Sequence, residues 1–454
     1  MTRPRPPLPP GPYLVVGLAR SGQAAARLLA EREEEVIGVD SGAPAGAAEL
    51  ARLGVAVELE SDGLAALAGV RCVVKSPGVP PQAPAIAAAY DRGLPVIGEL
   101  ELAWRALANR FLAVTGTNGK TTVAELLGHV WRTAGEPVAV AGNVGTPLAS
   151  LVGAIDPGAT VVCEASSFQL EDAEAFAPEC GVLLNLSPDH LDRHRDLGEY
   201  RSAKLRLFAN QGNDDVCVFD GSDPALRGID LGGCGRRMAF CHDARDSEDC
   251  GAELAAGAIE LWGEPLVGID ELSLLGPHNA ANATAAALAA AAMGIERDAI
   301  AAALRSFPGV PHRLERVGER DGVLYVNDSK ATNPAAAAAA LRSFGARPVR
   351  AILGGSLKGG SFAVLSGPIA EHCAACHLIG PAATQLERDL ADAWRAGVER
   401  RTDHRLEAAF AAAAEAAKPG DVVLLAPACA SFDAYRDFAE RGEHFRALFE
   451  GLSD

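Results

Sequence analysis

The sequence predicts an α/β protein of three domains, and three observations carry that prediction. The chain has 454 residues, too many for one ordinary domain. Its residues are 49% apolar but only 5% aromatic, so its cores must be built from Ala, Leu and Val, as layered strands and helices are. Short apolar runs repeatedly end in Gly, Ser, Thr, Asn or Asp ahead of a helical stretch, the pattern of parallel strands whose carboxyl ends face a ligand.

The stretch around which the rest is organised is 111–122, FLAVTGTNGKTT. Phe111 to Val114 can form a buried strand. Gly116 and Gly119 permit a tight turn that brings the N–H groups of Thr117 and Asn118 inward, and the helix starting near Lys120 adds its positive end. Lys120 then reaches the β- and γ-phosphates of a nucleotide, and the Thr121 hydroxyl, followed by Thr122, is placed to ligate Mg²⁺. The usual G-x-x-x-x-G-K-[ST] spacing would need glycine where this chain has Val114, so the loop is a variant.

Composition excludes other classes. A formal charge of −18 disfavours a nucleic-acid partner, because phosphate neutralisation by basic residues supplies most non-specific affinity. The proline-rich start MTRPRPPLPPGP lacks the apolar core of a signal peptide and reads as a flexible lead-in. The alanine-rich tract from Ala280 to Met293 is too short for a membrane span and reads as a soluble helix, so a cytoplasmic protein with no membrane partner is expected. A monomer is expected as well. Ten cysteines in such a chain should be reduced, mostly buried thiols. Cys373-Ala374-Ala375-Cys376-His377 matches the c-type haem pattern, but that chemistry needs export, and coincidence is the expectation.

Taken in order, Tyr13 to Val16 is a strand, Gly17 to Gly22 a turn containing Ser21, then a helix to about Glu31 and a strand ending at Asp40-Ser41. This βαβ opening makes the first domain Rossmann-like. Ala19 stands where a dinucleotide fingerprint has its second glycine, yet Asp40 sits where a ribose-binding acid would, so a nicotinamide-dependent oxidoreductase stays open. A strand at 70–75, a helix and the short strand PVIG lead to Gly98, the first boundary, giving a domain over 1–98. A helix over 99–108 then delivers the chain to the phosphate loop.

The central domain, 99–311, is expected to be P-loop ATPase-like with a mostly parallel sheet. Its strands begin the segments 138–145, 160–171 and 181–194. Glu164 follows the apolar run TVVC and is a hard oxygen ligand for Mg²⁺ or else a surface carboxylate. Asp189 to His194 holds two histidines and two acids; zinc is tempting, but His190 beside a second Mg²⁺ or the substrate fits better. Lys204, on the helix 200–208, points inward or lies on a solvated face. Asn279 caps the alanine-rich helix or contacts a nucleotide. From His312 the third domain, 312–454, carries strands ending in 327–333 (NDSKATN), 354–360 (GGSLKGG) and 426–435 (APACASFDAY), with Pro334 opening a helix after the first. It is expected to be Rossmann-like, with Lys330, Lys358 and Ser431 as an anion-binding rim.

The strings TGTNGKTT, GNVGTP, EASSFQLE, NLSPDHLDRH, YRSAKLRLF, GPHNAANATAA, PGVPHRLE, NDSKATNP, GGSLKGG and APACASFDAYRDFAERGEHF resemble, in order, the Mur ligase family from about Gly98 to Arg441. The DSKATNP and ACASFD strings are similar to its D-glutamate-adding branch; a sibling or folylpolyglutamate-type ligase is the alternative. The resemblance implies an ATP-dependent amide ligase of peptidoglycan precursor synthesis, joining D-glutamate to UDP-N-acetylmuramoyl-L-alanine through an acyl phosphate. It further implies that Lys120 and Thr121 serve ATP and a first Mg²⁺ with Glu164, and that His190 and a carboxylated Lys204 hold a second Mg²⁺. Asn279, Arg313 and Asp328 would contact the nucleotide, while Asn143 and Ser167, with His190, would face the UDP-substrate. Lys330, Thr332, Lys358, Ser431 and Phe438 would hold D-glutamate. The uridine-diphosphate end would lie on the Gly17–Gly22 loop, with Ser21 and Gly22, and on Asp40-Ser41; where a basic residue is expected after the acid, the chain has Gly42-Ala43, and Arg20 would take its place.

Overall fold

The computed structural model describes residues 4–187, 193–242, 250–357 and 359–452. By internal packing the chain divides into two units, Met1–Glu271 with Ala281–Arg305, and Leu272–Ala280 with Ser306–Asp454.

The first unit holds two sheets. β1 (Tyr13–Val16), β2 (Val36–Asp40), β3 (Ala56–Leu59), β4 (Cys72–Lys75) and β5 (Val96–Gly98) form a parallel sheet in the order β3-β2-β1-β4-β5. β1 is apolar at every residue and buried throughout, as a strand covered on both faces must be. The second sheet comprises β6 (Arg110–Thr115), β7 (Val138–Gly142), β8 (Thr160–Glu164), β9 (Cys180–Leu183), β10 (Val216–Asp220), β11 (Arg236–Cys241), β12 (Cys250–Ala255), β13 (Ala258–Leu261) and β14 (Glu264–Gly268). Its order is β14-β13-β12-β11-β10-β9-β6-β8-β7, so the strand feeding the phosphate loop lies between β9 and β8, parallel to both.

The last three strands of that sheet are antiparallel, an extension the sequence did not reveal. Ala256-Gly257 and Trp262-Gly263 make its two-residue turns with positive φ at both positions, a geometry usually signalled by Asn-Gly or Asp-Gly. The proline-rich start is also not free. Arg5 stacks 4.4 Å from the Trp104 ring, pairs with Glu179 at 3.1 Å and donates to Asn109 O at 2.8 Å, fastening the lead-in to the unit.

One apolar cluster runs through both sheets of this unit, from Tyr13 and Leu28 through Trp104 and Phe176 to Leu231. A second cluster, with Val39, Val73 and Ile86, covers the other face of the first sheet. Lys75, fully buried at the end of β4, crosses to Glu171 at 3.0 Å and Asp172 at 2.8 Å. Burial raises Asp172 to about 6 even though Lys75 pulls the other way.

In the second unit, β15 (Glu315–Arg320), β16 (Val323–Asn327), β17 (Val349–Gly354), β18 (Cys373–Ile379), β19 (Glu399–His404) and β20 (Val422–Leu425) take the order β15-β16-β20-β17-β18-β19, parallel except for β15. Cys373 and Cys376 lie on β18 inside the core, and His377 shares a 2.9 Å hydrogen bond with Asp403, so the haem-like string is part of a packed strand. The expectation of reduced thiols fails at one place: Cys241 and Cys250, brought to a Cα separation of 6.0 Å by the neighbouring β11 and β12, form a disulfide. Among the described residues, no helix is long and apolar enough to cross a membrane.

Candidate active site

The phosphate loop follows directly from β6. Gly116 has φ 153° and Gly119 φ 83°, and Gly119 stands at the N-cap of the helix Lys120–Thr133. A Cβ on Gly119 would overlap Asn282 Oδ1, so glycine is needed for space as well as for backbone freedom. Asn185, beyond β9, grips the turn: its Oδ1 accepts from Asn118 N at 2.9 Å and its Nδ2 donates to Asn118 O at 3.2 Å. Lys120 Nζ folds back to Gly116 O at 2.8 Å and Thr117 O at 3.0 Å, while Thr121 and Thr122 are buried in the first helical turn.

Parallel pairing places Glu164 level with Val114 and Gly142, at the carboxyl edge of the sheet beside the loop. It is buried, which removes the surface-carboxylate alternative, and its Oε1 accepts from Asn143 Nδ2 at 2.9 Å. Among the described residues no Lys, Arg or His forms an ion pair with it. Lys204 is also buried, not solvated: it lies on the helix Leu197–Ala209 and donates to Gly116 O at 2.7 Å.

Tyr200, one turn before Lys204, was not singled out from sequence, although the i, i+4 spacing on one helix face was there to be read. Its OH lies 3.1 Å from Thr117 Oγ1, and its ring is approached by Lys204 Nζ at 4.7 Å and by His194 edge-on. His194 in turn shares a 3.0 Å hydrogen bond with Ser167 Oγ and stacks on Phe168. Two hydrogen bonds joined by a ring contact between His194 and Tyr200 therefore link Ser167 to the phosphate loop. His190, with Asp189 and Asp192, lies outside the described residues.

The amino-terminal loop is built differently from a ribose site. Asp40 Oδ2 accepts from Leu18 N at 2.6 Å and Oδ1 from Gly42 N at 2.8 Å, so the acid braces its own turn. A Cβ on Gly22 would overlap Gly17 O, which makes Gly22 the contact between loop and helix. Ser41 is exposed, Ser21 half-buried, and Arg20 donates to Gly145 O, bringing this loop against the one that carries Asn143.

The second unit gathers its residues at the ends of β16 and β20. Asp328 is buried and accepts from Leu314 N at 3.1 Å; desolvation raises it to about 7, against a weaker lowering by the nearby Arg313. His312 and Leu314 on either side of Arg313 both hold positive φ, 63° and 42°, the backbone strain that accompanies built sites. Lys330 Nζ lies 5.2 Å from the Phe438 ring centre, Thr332 N donates to Lys330 O, and Ser431 is buried at the start of the turn after β20. Asn279 stands third in Pro277–Ala292, inside the helix and not at its N-cap position, and its amide donates back to Leu275 O at 2.8 Å; Gly276, with φ 89°, turns the chain ahead of the helix. Lys358 lies outside the described residues. Sequence reading also passed over Asn327, fully buried, whose amide meets His312, Glu315 and Gly442, and over a cavity of about 280 Å³ between Gly355, Gly380, His404, Glu407 and Tyr435.

Three family models match successive segments: the Mur ligase MurD-like N-terminal domain over residues 12–98, the Mur ligase middle domain over 114–290, and the Mur ligase glutamate ligase domain over 312–429. The chain belongs to the Mur ligase family. A UDP-N-acetylmuramoylalanine--D-glutamate ligase from Pelotomaculum thermopropionicum is 42% identical over 450 residues, with 97% of each chain covered. One from Salinibacter ruber is 42% identical over 453 residues, covering 96% of this chain and 97% of its own. In fold, this Mur ligase resembles the UDP-N-acetylmuramate-alanine ligase of Thermotoga maritima, at 18% identity and TM-score 0.61, over 98% of this chain and all of the other. The oxidoreductase alternative, which rested on the amino-terminal loop alone, falls with these matches.

Proposed function

We propose that this Mur ligase joins D-glutamate to UDP-N-acetylmuramoyl-L-alanine at the expense of ATP, as a cytoplasmic monomer with domains over 1–98, 99–311 and 312–454. The reading is carried by full-length similarity to ligases bearing that name. A carboxylate is a poor electrophile at neutral pH, and transfer of the γ-phosphoryl group to the L-alanyl carboxylate gives it a leaving group. The D-glutamate amine then forms the C–N bond, loses a proton, and the tetrahedral carbon expels phosphate as its C–O bond breaks.

The loop N–H groups and Lys120 neutralise and orient the phosphates. Asn143, Ser167 and the Gly17–Gly22 loop would seat the UDP-substrate; Asn279, Arg313 and Asp328 the nucleotide; and Lys330, Thr332, Lys358, Ser431 and Phe438 the amino acid. Thr121, Glu164, His190 and Lys204 would hold Mg²⁺, which supplies charge neutralisation at the phosphates; the buried carboxylate of Glu164 and the Thr121 hydroxyl are hard oxygen donors of the right kind. In this reading Lys204 serves as a carbamate: the neutral amine forms an N–C bond to CO₂ and releases a proton to solvent, its one remaining N–H keeps the bond to Gly116 O, and the product's single negative charge is shared by two oxygens. The test is phosphate release with UDP-N-acetylmuramoyl-L-alanine against a panel of D- and L-amino acids. Release with D-glutamate above all others supports the proposal, and release with a different amino acid moves the chain to a sibling ligase.

A further inference from the structure

Arg441 is a cation almost wholly removed from water, 1% exposed in the first turn of the helix Phe438–Glu450. Among the described residues it forms no ion pair; its hydrogen bonds all go to neutral oxygens. Nε donates to Ser329 Oγ at 2.9 Å, Nη2 to Ser329 O at 2.8 Å and Cys429 O at 3.1 Å, and Nη1 to Ala430 O at 3.1 Å. Burial draws its pKa down to about 10, which still leaves it charged at neutral pH. Asp433 favours the charge from a distance without pairing with it, but burying a cation with no ion pair is still costly, and an arrangement that keeps it must draw on something a neutral residue cannot give.

What the guanidinium gives is a rigid planar fork that fixes two loops at once. Ser329 immediately precedes Lys330 and lies three residues before Thr332, and Ala430 immediately precedes Ser431. A third loop joins through Ala430 O, which also accepts from Ser356 N at 2.9 Å, two residues before Lys358. Gly355 lies close enough that a Cβ would stand 3.1 Å from Nη1, so glycine opens room for the fork. Ser329 Oγ passes the contact on to Phe438 O at 2.7 Å.

We propose that Arg441 is a positioning residue for the D-glutamate site, setting the spacing of the loops that carry Lys330, Thr332 and Ser431 without itself touching the amino acid. The proposal rests on the D-glutamate reading above. It is tested with full-length Arg441→Ala and Arg441→Lys beside the unaltered enzyme, with KM measured separately for D-glutamate and ATP, with and without added guanidinium. The expected result is a rise in the D-glutamate KM of about tenfold or more in both variants, an ATP KM within about twofold of the unaltered enzyme, and partial recovery by guanidinium in Arg441→Ala alone. Should Arg441→Ala not fold, Arg441→Lys, which keeps charge and bulk but loses the fork, decides the matter through the same KM split. Parallel rises in both KM values, or a D-glutamate KM left unchanged in folded Arg441→Lys, overturn the proposal. If the unaltered enzyme shows no phosphate release with D-glutamate, the functional reading fails instead, and the two failures are distinct.

Discussion

At the start of the helix Glu99–Ala106, the Glu99 carboxyl is buried, and desolvation lifts it to about 7 against the lowering by backbone donors at Ala149 and Leu148. The unfolded carboxyl titrates lower, so the folded state binds this proton more tightly, and the group's contribution to stability declines as pH rises from about 4.5 toward 7. Glu99→Gln should therefore raise the unfolding free energy measured by urea denaturation at pH 8, by at most about 3 kcal/mol, and have little effect below pH 4.5. A gain equal at both pH values would contradict the assignment. Lys204→Ala should be nearly inactive, and acetate should restore part of the rate by supplying carboxylate oxygens; wild-type turnover by the variant would exclude the carbamate. Individual residues were legible where backbone chemistry demanded a type, as at Gly116, Gly119 and Lys120. His194 and Arg441 were not, since their roles depend on Ser167 and Ser329, 27 and 112 positions away, and Tyr200 offered only its spacing from Lys204, its bond to Thr117 spanning 83 positions.

Strand ends and glycines carry the element scale. Gly142 closes β7 with φ 119°, and a Cβ there would overlap Glu164 O. Gly142→Ala should cost about 1–3 kcal/mol of stability from backbone strain, and should also lower kcat, because relief of the overlap pushes against the strand end that holds Glu164. Denaturant unfolding and steady-state rates check both; a stable variant with lowered kcat would separate displacement of Glu164 from global destabilisation. The apolar parallel strands were readable as runs because both faces are buried. The β12–β14 meander was not: its strands have mixed polarity, and its turns open on Ala256 and Trp262 instead of Asn or Asp. The docking of the proline-rich start was equally hidden, since it depends on Arg5 meeting Trp104 and Glu179 far along the chain.

At the scale of the molecule, three sheets were foreseen, but not the cluster that runs through the first two. Lys75 ties these sheets together as a buried cation between two carboxylates. Lys75→Met should cost about 3–5 kcal/mol at pH 8, since it strands the buried charge of Asp172, while Glu171 keeps Arg193 at 3.0 Å. The penalty should shrink at pH 5, below the value of about 6 to which Asp172 is already raised, because protonation removes the stranded charge. A pH-independent penalty would show that packing, not charge, sets the cost. The joint cluster also has a consequence for synthesis. Its members extend from Tyr13 to Leu231, so when the first sheet has left the ribosome, more than a hundred residues of its packing partner are still to be made. At roughly 5–20 residues per second, that face waits on the order of ten seconds for its cover. For that interval the nascent chain presents an open apolar surface, a site for chaperone capture that vanishes once the nine-stranded sheet closes over it.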